Sequence, residues 1–502
     1  MELERITPEQ AGISGEKVKD CIQKLMHDET QMHGFMAARD GKVFAEGWWT
    51  PYGPERIHCN HSLGKSYTAA AIGILYTQRK LKLEERVVDL FADELRQYGI
   101  EPDENMKKLT VYHVLTMTNG MARHPIMDAD WLKNYLAEPV VAEPGTEFLY
   151  NSSGSCLLGA VVKKKTGKGM REFLKEFLFD KIGIDGERFQ IFRFPDGYDA
   201  EPGTASVTED NLRLAILFMN YGNWNGEQII AEDWMHMAMS CQISTEPNGG
   251  TEDYRHGYGF QLWNSAIPGV YRFDGGQGQY GLIWPERKIA VAIHEGAVMP
   301  EGPQITLDVL YEYLLNEMQN EPLPENPQAD AALLEFERNL KVPEQEANTL
   351  YVPTECFSGS YAVVSGDGDP WISVAPGGYN FFTCFYHDDK KQAFTDFTLK
   401  TDEQKCVFTV DGYAVFEAYF DGKHHPVYTD NVLPEIGWNC SYARYLDEDT
   451  LQITTKWLNG WFDDRIVMKK KGDILEMTFY KDRLTVSDNR YTIKHCTAKR
   501  QQ

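Results

Sequence analysis

The chain has 502 residues, 42% of them apolar, and a formal net charge of −25. That length allows two or three domains with ample buried core, and no stretch approaches the ~20 apolar residues of a bilayer span. The acidity argues against nucleic acid or an anionic membrane as partner, since both would repel it.

Taken in chain order, residues 34–49 read as a hairpin: Gly34–Ala38 and Val43–Ala45 flank Asp40-Gly41, a strong two-residue turn signal. A helix should begin near Ser62. Its body, Tyr67–Tyr76, is apolar on nearly all sides, which marks a buried helix. Further helices are expected at Val111–Met117, Gly154–Lys164 and Glu209–Tyr221, the last with Thr208 as its N-cap. Gly281–Trp284 and Ile289–Ile293 read as strands joined by Pro285-Glu286-Arg287-Lys288, and a helix over Ile305–Met318 closes this part. Pro322, Pro324 and Pro327 then mark a linker, 321–348, with a short helix at Ala329–Leu340. From residue 349 the pattern becomes short strands rich in aromatic and β-branched residues, among them Tyr379–Phe385, Val407–Val410, Leu451–Thr455 and Leu475–Phe479. Such a run without helices predicts an antiparallel sandwich or barrel. The expected domains are therefore 1–320 and 349–502.

Chemistry concentrates in three places. Ser62-Leu63-Gly64-Lys65 places Lys65 one helical turn after Ser62, on the same face. Because the helix is otherwise apolar, Lys65 sits in surroundings that favour the neutral amine, the form a general base needs. A serine at a helix start also places its own N–H where an oxyanion would be stabilised. Tyr150-Asn151-Ser152 is the second place. The third is Phe273-Asp274-Gly275-Gly276-Gln277-Gly278-Gln279-Tyr280, a glycine-rich run before a strand that lets backbone approach a substrate closely. Taken singly, each has a plainer reading: a Ser N-cap with a solvated lysine, a half-buried aromatic, a flexible turn. The thirteen histidines include no H-E-x-x-H or similar spacing, so nothing calls for a metal, and no cofactor signature is present.

The order S-x-x-K, Tyr-x-x, glycine-rich strand start resembles the serine β-lactamase and penicillin-recognising family, above all its class C-like branch of esterases, D-aminopeptidases and amide hydrolases. Leu115–Gly120 is similar to that family's L-L-T-M-T-S-G, and Glu143–Gly159 to its P-G-x-x-F-x-Y-S-N-x-G-Y-x-L-L-G. Asn223–Ile230 is similar to G-x-W-N-G-x-Q-I-L and Tyr258–Trp263 to Y-G-Y-G-W-W, so the likeness extends over roughly residues 5 to 318. It implies an α+β fold: an antiparallel sheet flanked by helices, beside a helical subdomain. It also implies an acyl-enzyme mechanism in which Ser62 attacks and Lys65 and Tyr150 move the proton. The oxyanion would sit between the Ser62 N–H and an N–H of the glycine-rich strand, Gln279 by counting back from Pro285 or Gln277 in the other register, with Gly278 between them.

Two departures qualify the resemblance. Ser152 stands where many members carry Asn. The third motif usually opens on Lys or His, and here the position falls on Gly276 or Asp274, neither a cation for a substrate carboxylate. That disfavours a β-lactamase or D,D-peptidase and favours a small amide, an ester or a D-amino-acid peptide, neutral or cationic. A catalytically silent relative that binds a ligand or partner is the competing reading. Phe357-Ser358-Gly359-Ser360-Tyr361 resembles, more weakly, the opening F-x-G-x-Y of lipocalin-like β-domains appended to such hydrolases. Such a barrel would wall the active site, or serve stability or dimerisation. The partner expected is thus a small-molecule or short-peptide substrate, with a homo-oligomer left open. The first residues, Met1-Glu2-Leu3-Glu4-Arg5-Ile6, lack a basic region followed by an apolar core. Nine scattered cysteines without a C-x-x-C pair fit a reducing compartment, so the expected location is the cytoplasm.

Overall fold

The computed structural model describes residues 2–194, 196–366, 394–410, 413–429, 437–460, 463–482 and 491–501. The chain divides into two compact units, Met1–Trp48 with Ile57–Leu340, and Trp49–Arg56 with Lys341–Gln502.

The first unit is built on a six-stranded antiparallel sheet. Its order is Lys42–Trp48, Met32–Arg39, Ile289–Glu295, Gln279–Trp284, Tyr271–Gly275, Trp263–Asn264. The Asp40-Gly41 turn joins the first two strands, with φ of 50° and 77° as a type I′ turn requires. The central strands of this sheet are buried on both faces, and helices cover both. Gly281 pairs with Phe273, so the two share a face, on which Phe273 meets Phe218 of helix Thr208–Met219 at 4.9 Å between ring centroids. Tyr280, one residue on, points to the other face. There its hydroxyl donates to the Pro303 carbonyl of helix Glu301–Leu310.

Most expected elements fall within a turn of their places, and the exceptions have local causes. Thr208 is not the N-cap of its helix. It is the first helical residue, its hydroxyl lies 3.1 Å from His294 Nδ1, and the capping comes from Asp210, which accepts the Val207 N–H at 3.3 Å. The C-terminal helix of this part runs Glu301–Leu310 and continues into a wider turn, Tyr311–Leu315. Helix Pro327–Arg338, read from sequence as part of a linker, packs on helix Gly15–Leu25 and belongs to the first unit. Among the described residues no helix is long and apolar enough to cross a membrane.

The second unit is a closed β-barrel of nine strands among the described residues. Tyr413–Tyr419, Lys405–Val410, Asp396–Thr401, Gly359–Gly366, Tyr491–Arg500, Ile474–Asp482, Asp463–Lys471, Thr450–Trp457 and Trp438–Asp447 follow in antiparallel order. A short parallel pairing, Ala418 with Ser441 and Tyr419 with Tyr442, returns the ring to its start. Alternation is strict in Lys405–Val410: Cys406, Phe408 and Val410 point inward and their neighbours do not. Phe397 stacks on Phe408 at 5.1 Å inside. The run Tyr379–Phe385, expected as a strand, lies outside the described residues.

Candidate active site

Ser62 sits in a 3₁₀ turn, His61–Leu63, that runs directly into helix Gly64–Thr77, so the α-helix proper starts two residues later than the sequence pattern predicts. Strand His58–Cys59 pairs with Asp199–Ser206, which anchors the approach to this turn. Asn60 then donates to Thr204 Oγ1 and Ser206 Oγ at 3.1 and 2.9 Å. The helix is enclosed on every side from Gly64 to Leu75. Gly73 is the point of closest approach: a Cβ there would lie 2.5 Å from the indole nitrogen of Trp234.

Helical spacing brings Lys65 Nζ to 2.7 Å from Ser62 Oγ. Lys65 is 1% exposed, whereas Ser62 is half-buried and reachable. Tyr150 comes from the segment before helix Ser152–Thr166, and its hydroxyl is within hydrogen-bonding reach of Ser62. Lys65 Nζ lies 4.9 Å from the centroid of the Tyr150 ring, which also stacks on Trp263 at 5.8 Å and 19° and meets Tyr258 edge-on at 6.3 Å. Burial pushes the Tyr150 hydroxyl above its ordinary range; the charge of Asp274 adds to this and the Ser62 hydrogen bond opposes it. Phe148, Tyr254 and Tyr258 complete an aromatic wall around Trp263.

The glycine-rich run forms the turn between strands Tyr271–Gly275 and Gln279–Trp284. Gly275 packs directly on the backbone of Asn60 and Leu63, so the turn lies beside the Ser62 turn. Within it the Gly278 N–H donates to the Gly275 carbonyl at 3.2 Å. That N–H is thus engaged inside the turn. The Gln279 side chain braces the turn from within, donating to the carbonyls of Gly276, Gln277 and Glu295. Ser152 is buried at the first position of its helix, where the neighbouring Asn151 accepts the Gly154 N–H at 3.0 Å.

Four surroundings of the site depend on contacts that no sequence motif announces. Asp274 accepts from Arg272 Nε at 2.8 Å and from the Tyr254 hydroxyl at 3.0 Å. Arg272 is wholly enclosed and also faces Asp253 at 3.5 Å. Burial pushes the Asp274 carboxyl up, against the opposing pull of Arg272. Glu295 is fully buried under the glycine turn, with Thr306 Oγ1 2.8 and 3.0 Å from its two oxygens, and burial pushes its carboxyl well above the usual range. Behind the nucleophile lies a group of buried imidazoles. His33 Nδ1 is 3.0 Å from His58 Nε2, His58 stacks on His294 at 4.5 Å, and His61 precedes Ser62 at a φ of 51°. Burial pushes His58 down to about 4 and His61 and His294 well below their usual value. Finally, His124 Nε2 accepts the Ser152 N–H at 2.9 Å. These residues come from distant segments: Asp274 lies in the glycine-rich run and His61 beside Ser62, whereas Arg272, Asp253, Glu295, His33, His58, His294 and His124 belong to none of the three motifs.

Comparison with known proteins places this geometry. The family model described as Beta-lactamase matches residues 18–295. Penicillin-binding protein 4 from Amycolatopsis lactamdurans is 29% identical over 272 residues, 46% of this chain and 70% of that protein. Monacolin J acid methylbutanoyltransferase from Aspergillus terreus is 27% identical over 108 residues, 18% of this chain and 26% of that enzyme. Among solved structures, a penicillin-binding protein homologue from Caulobacter crescentus superposes with a TM-score of 0.50 at 15% identity, covering 62% of this chain and all of that one. At that identity the likeness speaks for the fold alone.

Proposed function

Because the chain belongs to the Beta-lactamase family of hydrolases, we propose that it is a serine hydrolase working through an acyl-enzyme on a small amide, ester or D-amino-acid peptide. The 2.7 Å contact between buried Lys65 Nζ and Ser62 Oγ carries this reading. Lys65, as the neutral amine, takes the proton as Ser62 Oγ bonds to the acyl carbon. The carbonyl oxygen gains the negative charge. It is met by the Ser62 N–H at the positive end of the helix and by an N–H of the glycine turn, at Gln277 or Gln279. Tyr150, whose hydroxyl burial keeps protonated, hands a proton to the leaving amine or alkoxide and regains one through Lys65. Water attacks the acyl-enzyme by the reverse relay and regenerates Ser62.

Charge narrows the substrate class. The strand leading to the turn carries Asp274, and the nearby cation, Arg272, is enclosed and paired with it. A substrate carboxylate at that place meets like charge with little solvent to screen it. Neutral or cationic substrates fit, and the aromatic wall suits an apolar or aromatic substituent. Release of the acyl group to an alcohol instead of water is a second reading, favoured by the similarity to the methylbutanoyltransferase.

Wild type and Ser62→Ala, assayed against chromogenic short-chain esters, nitrocefin and D-amino-acid anilides with intact-mass detection, test the proposal. Turnover and an acyl adduct on wild type only are expected, with neutral probes ahead of those bearing a carboxylate, and an ester product on adding alcohol if transfer competes. No adduct and no turnover on any probe would favour a silent ligand-binding relative.

A further inference from the structure

Helix Ser152–Thr166 begins one residue after Asn151, which follows Tyr150, so whatever fixes its first turn also fixes the tyrosine. The first N–H groups of any helix have no partner within it. Here Asn151 Oδ1 takes the Gly154 N–H, and the Ser152 N–H reaches outside the helix to His124 Nε2 at 2.9 Å. The same loop makes two more ties: Ser153 Oγ donates to the Pro125 carbonyl at 2.9 Å, and Asn151 Nδ2 approaches Met121 Sδ at 3.4 Å.

The tautomer of His124 follows from its other nitrogen. Nδ1 lies 2.8 Å from the Pro125 carbonyl, which only accepts, so Nδ1 bears the proton. Nε2 then holds the lone pair that receives the Ser152 N–H, and only the neutral imidazole can do both. Lys65 is the charge that faces the ring from the nucleophile helix. On its own loop, Arg123 points to solvent and pairs with Glu138 at 3.2 Å. The first turn of the tyrosine-bearing helix contributes Ser152, Ser153 and Ser155, none charged. Burial pushes His124 below its usual value.

We propose that His124 is a positioning residue of the hydrolytic site: its neutral imidazole latches the first turn of the helix behind Tyr150 and so holds the tyrosine hydroxyl against the Ser62–Lys65 pair. The inference rests on the serine-hydrolase reading. The imidazole holds the Ser152 backbone two residues from Tyr150, so its hold on the helix start is also a hold on the tyrosine. Protonation of His124 removes the Nε2 lone pair, strands the Ser152 N–H, and sets a cation at a helix N-terminus. Each of these loosens the first turn of the helix. The step affected is proton transfer, so kcat carries the effect and KM does not.

The test measures kcat and KM from pH 5 to 8 on a neutral ester for wild type, His124→Gln and His124→Ala, with melting curves for each. Glutamine offers an oxygen to the Ser152 N–H and does not titrate. Expected is kcat within about threefold of wild type for His124→Gln, with the acid-side loss of kcat shifted or absent. For His124→Ala, kcat falls by about 10–100-fold, as for a displaced catalytic group, with KM within about twofold. Wild-type kcat and an unchanged pH profile in both variants would overturn the inference, as would equal loss in two folded variants. If His124→Ala does not fold, the pH profile of His124→Gln alone decides. A wild-type enzyme that forms no acyl adduct sinks the hydrolase reading and this one together. An adduct on Ser62 with pH profiles indifferent to His124 sinks only this one.

Discussion

Gly278 lies directly against the carboxyl group of Glu295, so that a Cβ on the glycine would overlap Glu295 Oε1. Its φ of 83° is a second bar to any side chain. Gly278→Ala should therefore lower stability by about 1–3 kcal/mol in urea unfolding, by strain and overpacking, and lower kcat as the turn beside Ser62 shifts. Adding Glu295→Ala to that variant should restore part of both, since it opens the space. A Gly278→Ala protein with wild-type midpoint and rate would mean that the turn has room the geometry denies it.

Tyr150 has two separable parts. Its ring stacks on Trp263, and its hydroxyl reaches Ser62. Tyr150→Phe keeps the first and removes the second. Stability should stay within about 1 kcal/mol, while kcat should fall by about 10²–10⁴, the contribution of a positioned proton donor. Full activity in the phenylalanine variant would reduce Tyr150 to a member of the aromatic wall.

The imidazoles behind the nucleophile make the fold acid-sensitive. His58 titrates near 4 in the folded protein because burial disfavours its charged form, against about 6.5 when unfolded. As pH falls from 6.5 the unfolded chain binds the proton first, so the stability present above pH 6.5 is lost progressively down to pH 4. Over that interval His58 alone accounts for about 3 kcal/mol. Glu295 and Asp210, whose carboxyls burial pushes up, slope the other way, so the difference between variants is the quantity to read. Urea midpoints at several pH values should fall less steeply on the acid side for His58→Gln than for wild type. Parallel curves would show that His58 takes up its proton without cost.

The sequence announced what depends on short range. Asp40-Gly41 fixes a hairpin by its own backbone preference, and Ser62 and Lys65 meet because residues three apart on a helix share a face. The all-apolar helix that buries Lys65 was equally plain. What stayed hidden is long-range pairing. Asp274 stood in the glycine-rich run, but its partners Arg272 and Asp253 carry no pattern, because only strand pairing and a neighbouring turn enclose the three together. His124 in Arg123-His124-Pro125 carries no pattern, because its task depends on a backbone N–H that becomes available only once a helix starts at Ser152. Thr208 was misplaced as a cap for the same reason: a hydroxyl at a helix start suits either the N–H groups behind it or a tertiary partner, and His294 supplied the partner. The barrel's alternation was visible in Lys405–Val410, but not the seam that closes it.

That seam has a consequence in simple parity. Strands that alternate direction around a ring must be even in number, because an odd ring returns to its origin pointing the wrong way. With nine strands among the described residues, one adjacent pair has to run in parallel, and Ala418–Tyr419 against Ser441–Tyr442 is where this chain puts it. The polypeptide meets the condition by a hop over the intervening segment instead of a hairpin. Parity thus leaves the barrel with a seam in place of two unpaired borders, and an unpaired border is what would otherwise recruit a strand from another molecule.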